Sequence, residues 1–479
     1  MIKVFLKRLV IQYLAYFGRR AIAKSQALVI GITGSVGKTS TKEAIYAILE
    51  EAFGKEKVYK TPKNLNSEFG LPLAILGFTH SPKKLGWLAA LFLVPFRLFA
   101  PPLIGRQYFV AEMAADKPSD IKHLLSIVQP KIAVITGVAP VHLDPGQFSS
   151  LEEIAQEKAL LVESLPKEGV AILNGDNPYT KKIAQRLRAE KRCRVICYGE
   201  GEENEINKSA LVGLKLNVLG EAGRYAALAG IAVAEALAID QQKIFSGLAK
   251  LKPLPGRMNL LAGIKDSLII DDTYNANPVS MAAALRELSS LAERLKELDG
   301  FRVESLRTNL QIKTPEEEKR FSEKVASEEE MGIKEEKIKR EEASEEKERA
   351  EGGLAEEASI KEAGRRRKVA ILGNMNELGA LSYEKHLEVG RLAAQAANLL
   401  VVIGERGKWI GEGASKAGFP QQKVIWFKTP EEAIKEVPKL ILKRDIVLVK
   451  ASQNQMRLER LVKVLIANPA EANKLLVKR

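Results

Sequence analysis

The sequence predicts an α/β protein made of two successive units, each organised on a mostly parallel, doubly wound sheet. Three observations lead there. The stretch Ala27 to Ala44, ALVIGITGSVGKTSTKEA, reads as a buried strand (Leu28 to Ile32), a glycine-rich turn and a helix from Lys38. Short apolar runs then alternate with helical stretches as far as LPGRMN, Leu254 to Asn259, which looks like a joint. A second series of the same kind opens at Leu268.

At 479 residues the chain has room for two to three ordinary domains, and 46% apolar residues supply their cores. A formal net charge of +14 favours anionic partners such as nucleotides, acidic substrates or anionic lipid. No aromatic-rich basic groove or zinc-finger spacing supports nucleic-acid binding. Cys193 and Cys197, the two cysteines, fit neither the C-x-x-C redox spacing nor a zinc site and read as core thiols. Without a disulfide framework or a cleavable leader, the expected location is the cytoplasm, with the inner membrane face as a second candidate.

In chain order, residues 1–25 come first. Ile2 to Phe17 mixes large apolar residues with Lys3, Lys7 and Arg8, and Arg19 and Arg20 follow. That is the pattern of a basic amphipathic helix, lying on an anionic membrane or docked on its own domain. In the turn after the first strand, Gly34 and Gly37 let successive N–H groups point inward around an anion, and the helix N-terminus adds partial positive charge. Lys38 is placed for the β- and γ-phosphates of a nucleotide and Thr39 for Mg²⁺, with Thr33, Ser35, Val36 and Ser40 completing the loop. A strict phosphate-loop pattern asks for glycine at position 32, where Ile32 stands.

Next, TPKNLNSEFGLPLAILG carries Asn64 and Asn66, whose amides suit a phosphate or a substrate carboxylate. Trp87 to Phe96 (WLAALFLVPF) has about half the length that crosses a bilayer, and Pro95, Pro101 and Pro102 interrupt it. It reads as a cover over a lipophilic substrate or as an interfacial loop. Gln107 to Met113 is a second strand ending in Glu112, a carboxylate positioned for Mg²⁺ at the C-terminal end of a parallel sheet. A third strand, Lys131 to Thr136, leads to His142; a helix from about Ser150 carries Lys158, and Val170 to Asn174 is a fourth strand. Residues 200–220 are irregular and polar, followed by a helix from Arg224 to Leu237. Strands at Leu268 to Asp272, Lys368 to Leu372, Leu399 to Ile403, Val424 to Phe427 and Ile446 to Lys450 make the second unit. It contains no dinucleotide fingerprint. Between them, roughly Ser290 to Arg367 is dominated by Glu, Lys, Arg, Ser and Ala, a composition that suits a solvated helix or a disordered insertion.

Read together, TGSVGKTST, NLNSEFGLP, VAEM, QEKALLVESL, LNGDNP, LPGRM, DDTYNANPVSM, LGNMNELG and LVKASQNQMRLE stand in the order found in Mur ligases. The chain most resembles the MurF type, which joins D-alanyl-D-alanine to UDP-N-acetylmuramoyl-tripeptide in peptidoglycan precursor synthesis. The resemblance implies a P-loop central ATPase domain over 26–258 and a C-terminal Rossmann-like ligase domain over 259–479, interrupted at about 290–367. It implies amide-bond ligation using ATP and Mg²⁺ through an acyl phosphate. By this resemblance Lys38, Glu112, His142 and Lys158 are catalytic, with Thr39, Glu112 and His142 holding metal and Lys158 matching a lysine that many members carry as a carbamate. Arg257, Asp272 and Asn275 match nucleotide contacts made on closure. Asn374, Glu377, His386 and Lys450 match the region receiving the incoming amine, with Asn64 and Asn66 on the substrate side. Expected partners are D-Ala-D-Ala and a small-molecule or lipid-linked muropeptide, bound to a monomer with peripheral membrane contact in view.

Three departures stand out. About thirty residues precede the phosphate loop, too few for the family's uridine-gripping N-terminal domain. The family's adenine-reading G-x-H-N-x-x-N-A-L-A-A helix appears as GEAGRYAALAG, with Ala222 and Ala226 at the His and Asn positions. A late K-G-S reads Lys450-Ala451-Ser452. Two other readings compete: an amino-acid ligase of the folylpolyglutamate or cyanophycin synthetase kind, and a non-catalytic nucleotide-binding scaffold at a membrane.

Overall fold

A computed structural model describes residues 2–82, 86–214, 216–296 and 366–477. The chain begins with helix α1 (Ile2–Ala23), then β1 (Leu28–Thr33), α2 (Lys38–Phe53), β2 (Val58–Lys60), α3 (Gly70–Ile75), α4 (Gly86–Arg97) and β3 (Tyr108–Glu112). There follow α5 (Asp120–Leu125), β4 (Ile132–Ile135), α6 (Leu151–Glu163), β5 (Val170–Asn174), α7 (Pro178–Ala189), β6 (Arg194–Tyr198), α8 (Gly220–Ala236) and α9 (Gln241–Ala249). The second half holds β7 (Asn259–Ala262), β8 (Leu268–Asp272), α10 (Pro278–Lys296), β9 (Lys368–Gly373), β10 (Leu399–Ile403), β11 (Val424–Phe427) and β12 (Ile446–Lys450), with further helices between the last four strands.

Two six-stranded sheets result. The first has the order β2-β3-β1-β4-β5-β6 with every neighbouring pair parallel. Its strands read as near-continuous apolar runs (LVIGIT, IAVI) because helices cover both faces. On one face α2, α8 and α9 bury Ile45, Ile48, Leu228 and Leu248; on the other, Leu71, Ile121 and Leu161 from α3, α5 and α6 form the core. The second sheet runs β11-β10-β9-β12-β8-β7, parallel except for the antiparallel edge strand β7. The active ends of both sheets are the C-terminal ends of β1, β3, β8 and β12, where a crevice opens in such sheets.

Helix α1 is docked on the first sheet's helical layer. Leu14, Ala15 and Ala21 are buried there, Tyr13 Oη donates to the Leu91 carbonyl at 3.0 Å, and a Cβ on Gly18 would lie 3.0 Å from that of Pro72. The helix runs six residues beyond the apolar stretch ending at Phe17. Trp87 to Phe96 departs from the loop expectation: it is helix α4, with Pro95 inside, because Ala90 and Val94 bury one side of it against the first lobe. Strands β2 and β7 escaped the sequence reading because three or four residues are too few for a periodic signal. Helix α8 starts at Gly220, ahead of Arg224. Of the charged stretch expected over 290–367, Ser290 to Lys296 continues α10 and buries Leu291, Ala292 and Leu295, while Arg367 pairs with Asp445 at 2.7 Å. Residues 297–365 lie outside the described residues.

Candidate active site

The turn between β1 and α2 is fixed by backbone geometry before any side chain acts. Gly34 has φ 144° and Gly37 φ 85°, both in the region that favours glycine. A Cβ on Gly34 would sit 1.9 Å from Thr136 Oγ1, so no other residue fits. Lys38, the first residue of α2, donates through Nζ to the Gly34 carbonyl at 2.6 Å and so curls over the loop. Burial lowers its pKa, with Glu112 and Asp116 opposing.

Beside it, β3 delivers Glu112 at its C-terminal end, 4% exposed. Oε1 accepts from Thr39 Oγ1 at 3.1 Å and from Asn66 Nδ2 at 2.9 Å, while Oε2 lies 3.5 Å from Lys42 Nζ. Burial pushes the Glu112 carboxyl up, but Lys42, Lys38, Arg257 and the Asn66 amide outweigh it and hold it below its ordinary value. Arg257, from the joint between the two halves, donates to Thr39 Oγ1 at 3.3 Å and stacks its guanidinium 4.1 Å from the Tyr274 ring. The joint itself is tied to β8: Gly256 N donates to Asp271 Oδ2 at 3.0 Å and Met258 N to Asp272 Oδ1 at 3.2 Å. Burial pushes Asp271 up to about 6.

His142, at φ 57°, sets its Nδ1 2.6 Å from Glu377 Oε2 and its Nε2 3.4 Å from Asp116 Oδ1. The contact with His142 holds the Glu377 carboxyl below its usual range. The backbone follows the same seam. Leu143 N donates to the Glu377 carbonyl at 2.9 Å, and Gly379 N to Asp144 Oδ1 at 3.2 Å. Gly379 has φ 52°, and a Cβ there would lie 2.3 Å from the Leu143 carbonyl oxygen. Tyr274 Oη donates to Asn64 Oδ1 at 2.9 Å, a second clasp between the halves.

These groups line one cleft of about 610 Å³ between the two sheets. Of the residues singled out in the sequence, Ser35 to Ser40, Asn64, Asn66, Glu112, His142, Arg257, Asp272, Asn275, Glu377 and Lys450 line it. Lys450 Nζ is bound to the Asp272 carboxylate and to the Asn275 carbonyl at 2.9 Å. Thr33, Gly34 and Lys158 lie behind the lining, and Asn374 and His386 are set back in the second half. Lys158 is 1% exposed on α6; burial, with Lys38 adding to it, lowers its pKa to about 7 against the pull of Asp116, Glu157 and Asp120. Asn374 accepts from Gly407 N at 3.0 Å. His386 is wholly buried: Nε2 accepts from Met375 N at 3.0 Å and Nδ1 donates to the Ser382 carbonyl at 2.6 Å. Burial pushes its pKa down to about 4. Its ring therefore shapes the 374–377 turn with both nitrogens engaged by backbone, within the region that the resemblance matched to the incoming amine.

The far end of the cleft was missed by sequence reasoning. Asp176 accepts from Tyr225 Oη at 2.6 Å and from Asn204 Nδ2 at 2.8 Å, and Asn177 Nδ2 donates to the Val138 carbonyl at 2.9 Å. Together with Val218 and Leu219 they form a half-polar, half-apolar wall beside Ala222 and Ala226. The sequence signals were the turn LNGDNP and the helix GEAGRYAALAG, which holds Tyr225 beside Ala222 and Ala226.

As for metal, among the described residues no three His, Cys, Asp or Glu side chains cluster to hold an ion by themselves. Mg²⁺ does not ask for that, since it commonly takes one or two protein oxygens and fills its octahedron with phosphate and water. Thr39 Oγ1 and Glu112 Oε1, 3.1 Å apart at the end of the phosphate loop, are such a pair.

Residues 32–227 match the Mur ligase middle domain, and residues 355–453 match the Mur ligase glutamate ligase domain. The chain belongs to the Mur ligase family. Among curated relatives, this Mur ligase is 26% identical over 457 residues to the UDP-N-acetylmuramoyl-tripeptide--D-alanyl-D-alanine ligase of Bacillus subtilis, covering 92% of this chain and 76% of the relative. It is 35% identical over 271 residues to the enzyme of the same name from Synechocystis, covering 55% of this chain and 52% of that one. Among solved structures, MurF of Thermotoga maritima in complex with ADP aligns at TM-score 0.63 and 24% identity, over 97% of this chain and 84% of that chain. Mycobacterium tuberculosis folylpolyglutamate synthase aligns at TM-score 0.52 and 14% identity, over 94% and 95%. These likenesses establish the two-sheet architecture.

Proposed function

We propose that this Mur ligase is an ATP-dependent carboxylate–amine ligase of the MurF type, acting on a muramoyl-tripeptide carboxylate and D-alanyl-D-alanine in peptidoglycan precursor synthesis. The observation that supports it most is the convergence on one cleft of the phosphate loop, Thr39 and Glu112 from the first half, Arg257 from the joint, and Asp272, Glu377 and Lys450 from the second half. A non-catalytic scaffold has no physical need to bury a carboxylate among three cations at a phosphate loop.

In the reaction, an acceptor carboxylate oxygen bonds to the γ-phosphorus of ATP and ADP leaves. The amine nitrogen then bonds to the acyl carbon, inorganic phosphate leaves with that oxygen, and the nitrogen gives up a proton. Backbone N–H groups of Val36, Gly37 and Lys38 and the Lys38 ammonium hold the phosphates and oppose the charge that grows on the transferring group, while the Ser35 N–H is committed to the Gly137 carbonyl at 2.9 Å. Thr39 and Glu112 would hold Mg²⁺, which would supply further charge neutralisation there. Arg257, already on Thr39, brings the second half onto the nucleotide. Lys450 anchors Asp272 and the Asn275 carbonyl beneath it, and Ser452 Oγ donates to the Ala276 carbonyl at 3.2 Å. His142 is set for the acyl-phosphate side of the cleft, in a field of Asp116 and Glu377 carboxylates.

Lys158 fits a carbamate. Its amine, shifted to about 7, is neutral often enough near pH 7 to attack CO₂, and the product exchanges a buried cation for an anion behind Lys38. Such an anion would support a second divalent ion, where an ammonium would repel it. ATP and nucleotide-linked or lipid-linked precursors set the work on the cytoplasmic side of the membrane.

The test is ADP release measured with ATP, Mg²⁺ and D-Ala-D-Ala, with and without UDP-muramoyl-tripeptide or its polyprenyl-linked counterpart. Release that needs a muropeptide supports the proposal. Release with folate-type or other carboxylates alone moves the chain to the folylpolyglutamate kind, and no release with any acceptor leaves the scaffold reading.

A further inference from the structure

The cleft accounts for neither α1 nor α4, yet their outer sides gather large apolar side chains that are exposed. On α4, Leu88, Phe92, Leu93 and Phe96 are exposed, Phe92 by 70%, and Phe99 just beyond the helix is 83% exposed. Arg97 is the single charge in that helix. On α1, Phe5, Leu9 and Tyr16 are exposed at spacings that share one helical side, opposite the buried Leu14 and Ala21. The two helices touch through Tyr13 on Leu91, and Lys24 Nζ donates to the Leu98 carbonyl at 2.9 Å. An isolated exposed leucine is ordinary; three exposed phenylalanines on two adjoining helices, with Phe99 just beyond them, are not.

We propose that the outer sides of α1 and α4 form one surface that docks on an anionic lipid bilayer. The charge pattern selects this occupant. Helix α1 contains Lys3, Lys7, Arg8, Arg19 and Arg20 and no acid, and the first acidic residue of the chain is Glu43. Large apolar side chains beside a helix that carries cations and no acid of its own suit the acyl–headgroup boundary of a negatively charged membrane. Protein–protein interfaces are instead depleted in lysine. The surface lies on the bilayer and does not cross it. Among the described residues no helix is long and apolar enough to span, and the 12 residues of α4 reach roughly 18 Å against a hydrocarbon core of about 30 Å.

This surface is wired to the cleft wall. Lys7 on α1 is 3.2 Å from Glu68, and Trp87 on α4 meets the Phe69 ring at 5.6 Å. Just before them, Asn66 and Ser67 line the cleft. A docked chain therefore holds one lip of its cleft close to the membrane, where a lipid-bearing substrate would arrive.

The test is co-sedimentation of the full chain with phosphatidylcholine vesicles, with and without phosphatidylglycerol. Binding is read without turnover, so its failure and the failure of the ligase assignment are separable. The protein should pellet with the anionic vesicles at low salt and be released as salt screens the cations. F92E/F96E should weaken pelleting by tenfold or more, and R8E/R19E should remove the preference for phosphatidylglycerol, while both retain wild-type ADP binding. Failure of the wild type to pellet with either vesicle overturns the proposal. So does unchanged pelleting of F92E/F96E. Reversible dimerisation abolished by F92E/F96E, with no vesicle binding, would assign the surface to a second copy of the chain and equally overturn it.

Discussion

Lys158→Met removes an amine that the fold holds against its own electrostatics. The side chain is 1% exposed, and its pKa falls from 10.5 to about 7. That 3.5-unit difference corresponds to about 5 kcal/mol at 1.36 kcal/mol per unit, the cost of keeping the ammonium where it sits. The folded pKa is depressed, so between about 7 and 10.5 the unfolded chain binds the extra proton. Wild-type stability therefore rises with pH across that window, by about 1.4 kcal/mol per unit. The cost is fully present below pH 7. Methionine has similar length and no charge, so K158M should be the more stable protein at pH 7 by a few kcal/mol, discounted for imperfect packing. The gap should close towards pH 10. Urea unfolding of both proteins in CO₂-free buffer from pH 6.5 to 10 measures it. Adding bicarbonate should then stabilise the wild type and leave K158M untouched, because only the amine can form a carbamate. A gap that does not change with pH refutes the argument about burial; bicarbonate acting equally on both refutes the carbamate.

Lys38→Ala should lower the rate of ADP release by about 3–4 kcal/mol of transition-state stabilisation, a factor of several hundred, with the fold retained; an unaltered rate would undo the assignment of the phosphate loop. Gly34→Ala drives a methyl into Thr136 and should abolish ADP binding measured by calorimetry. Glu112→Gln leaves Lys42, whose side chain is 2% exposed, with Glu43 at 3.6 Å as its remaining counter-charge, and should cost roughly 1–3 kcal/mol in denaturant unfolding at pH 7 while raising the Mg²⁺ concentration needed for turnover. The folded Glu112 pKa is depressed, so its contribution is complete above about 4.5 and is lost as pH falls through the folded value; the E112Q penalty should accordingly vanish in acid. His386 is held neutral with a pKa near 4, so the pH profile of turnover between 5 and 8 should keep its shape in H386N even as the 374–377 turn loosens and the rate drops.

The loop and the first-sheet strands β1, β3, β4 and β5 could be read directly because one local feature, a strand running into Gly34–Gly37 and a basic helix start, has one common use. Glu112 followed from a parallel strand's end. What could not be read is long-range and made by the backbone. The clasp of Leu143 and Asp144 on Glu377 and Gly379 pairs residues more than 230 positions apart, and nothing in either turn announces the other. The same holds for Tyr225 reaching Asp176 across the cleft's far wall. His386 illustrates the opposite difficulty: a polar residue in a motif was read as facing substrate, when burial and two backbone partners make it a brace. Helix α4 misled through its prolines, since Pro95 stands within a helix whose burial on one side outweighs the broken backbone bond.

The central claim, that a carboxylate is activated by ATP in the cleft between the two sheets, is tested most directly by following oxygen. Muramoyl-tripeptide labelled with ¹⁸O in its terminal carboxylate is turned over with ATP and D-Ala-D-Ala, and the released inorganic phosphate is analysed by mass. An acyl-phosphate route must carry one labelled oxygen into each phosphate. Phosphate formed at the same rate without label would mean that water, not the carboxylate, attacks the nucleotide, and the ligase account would not survive it.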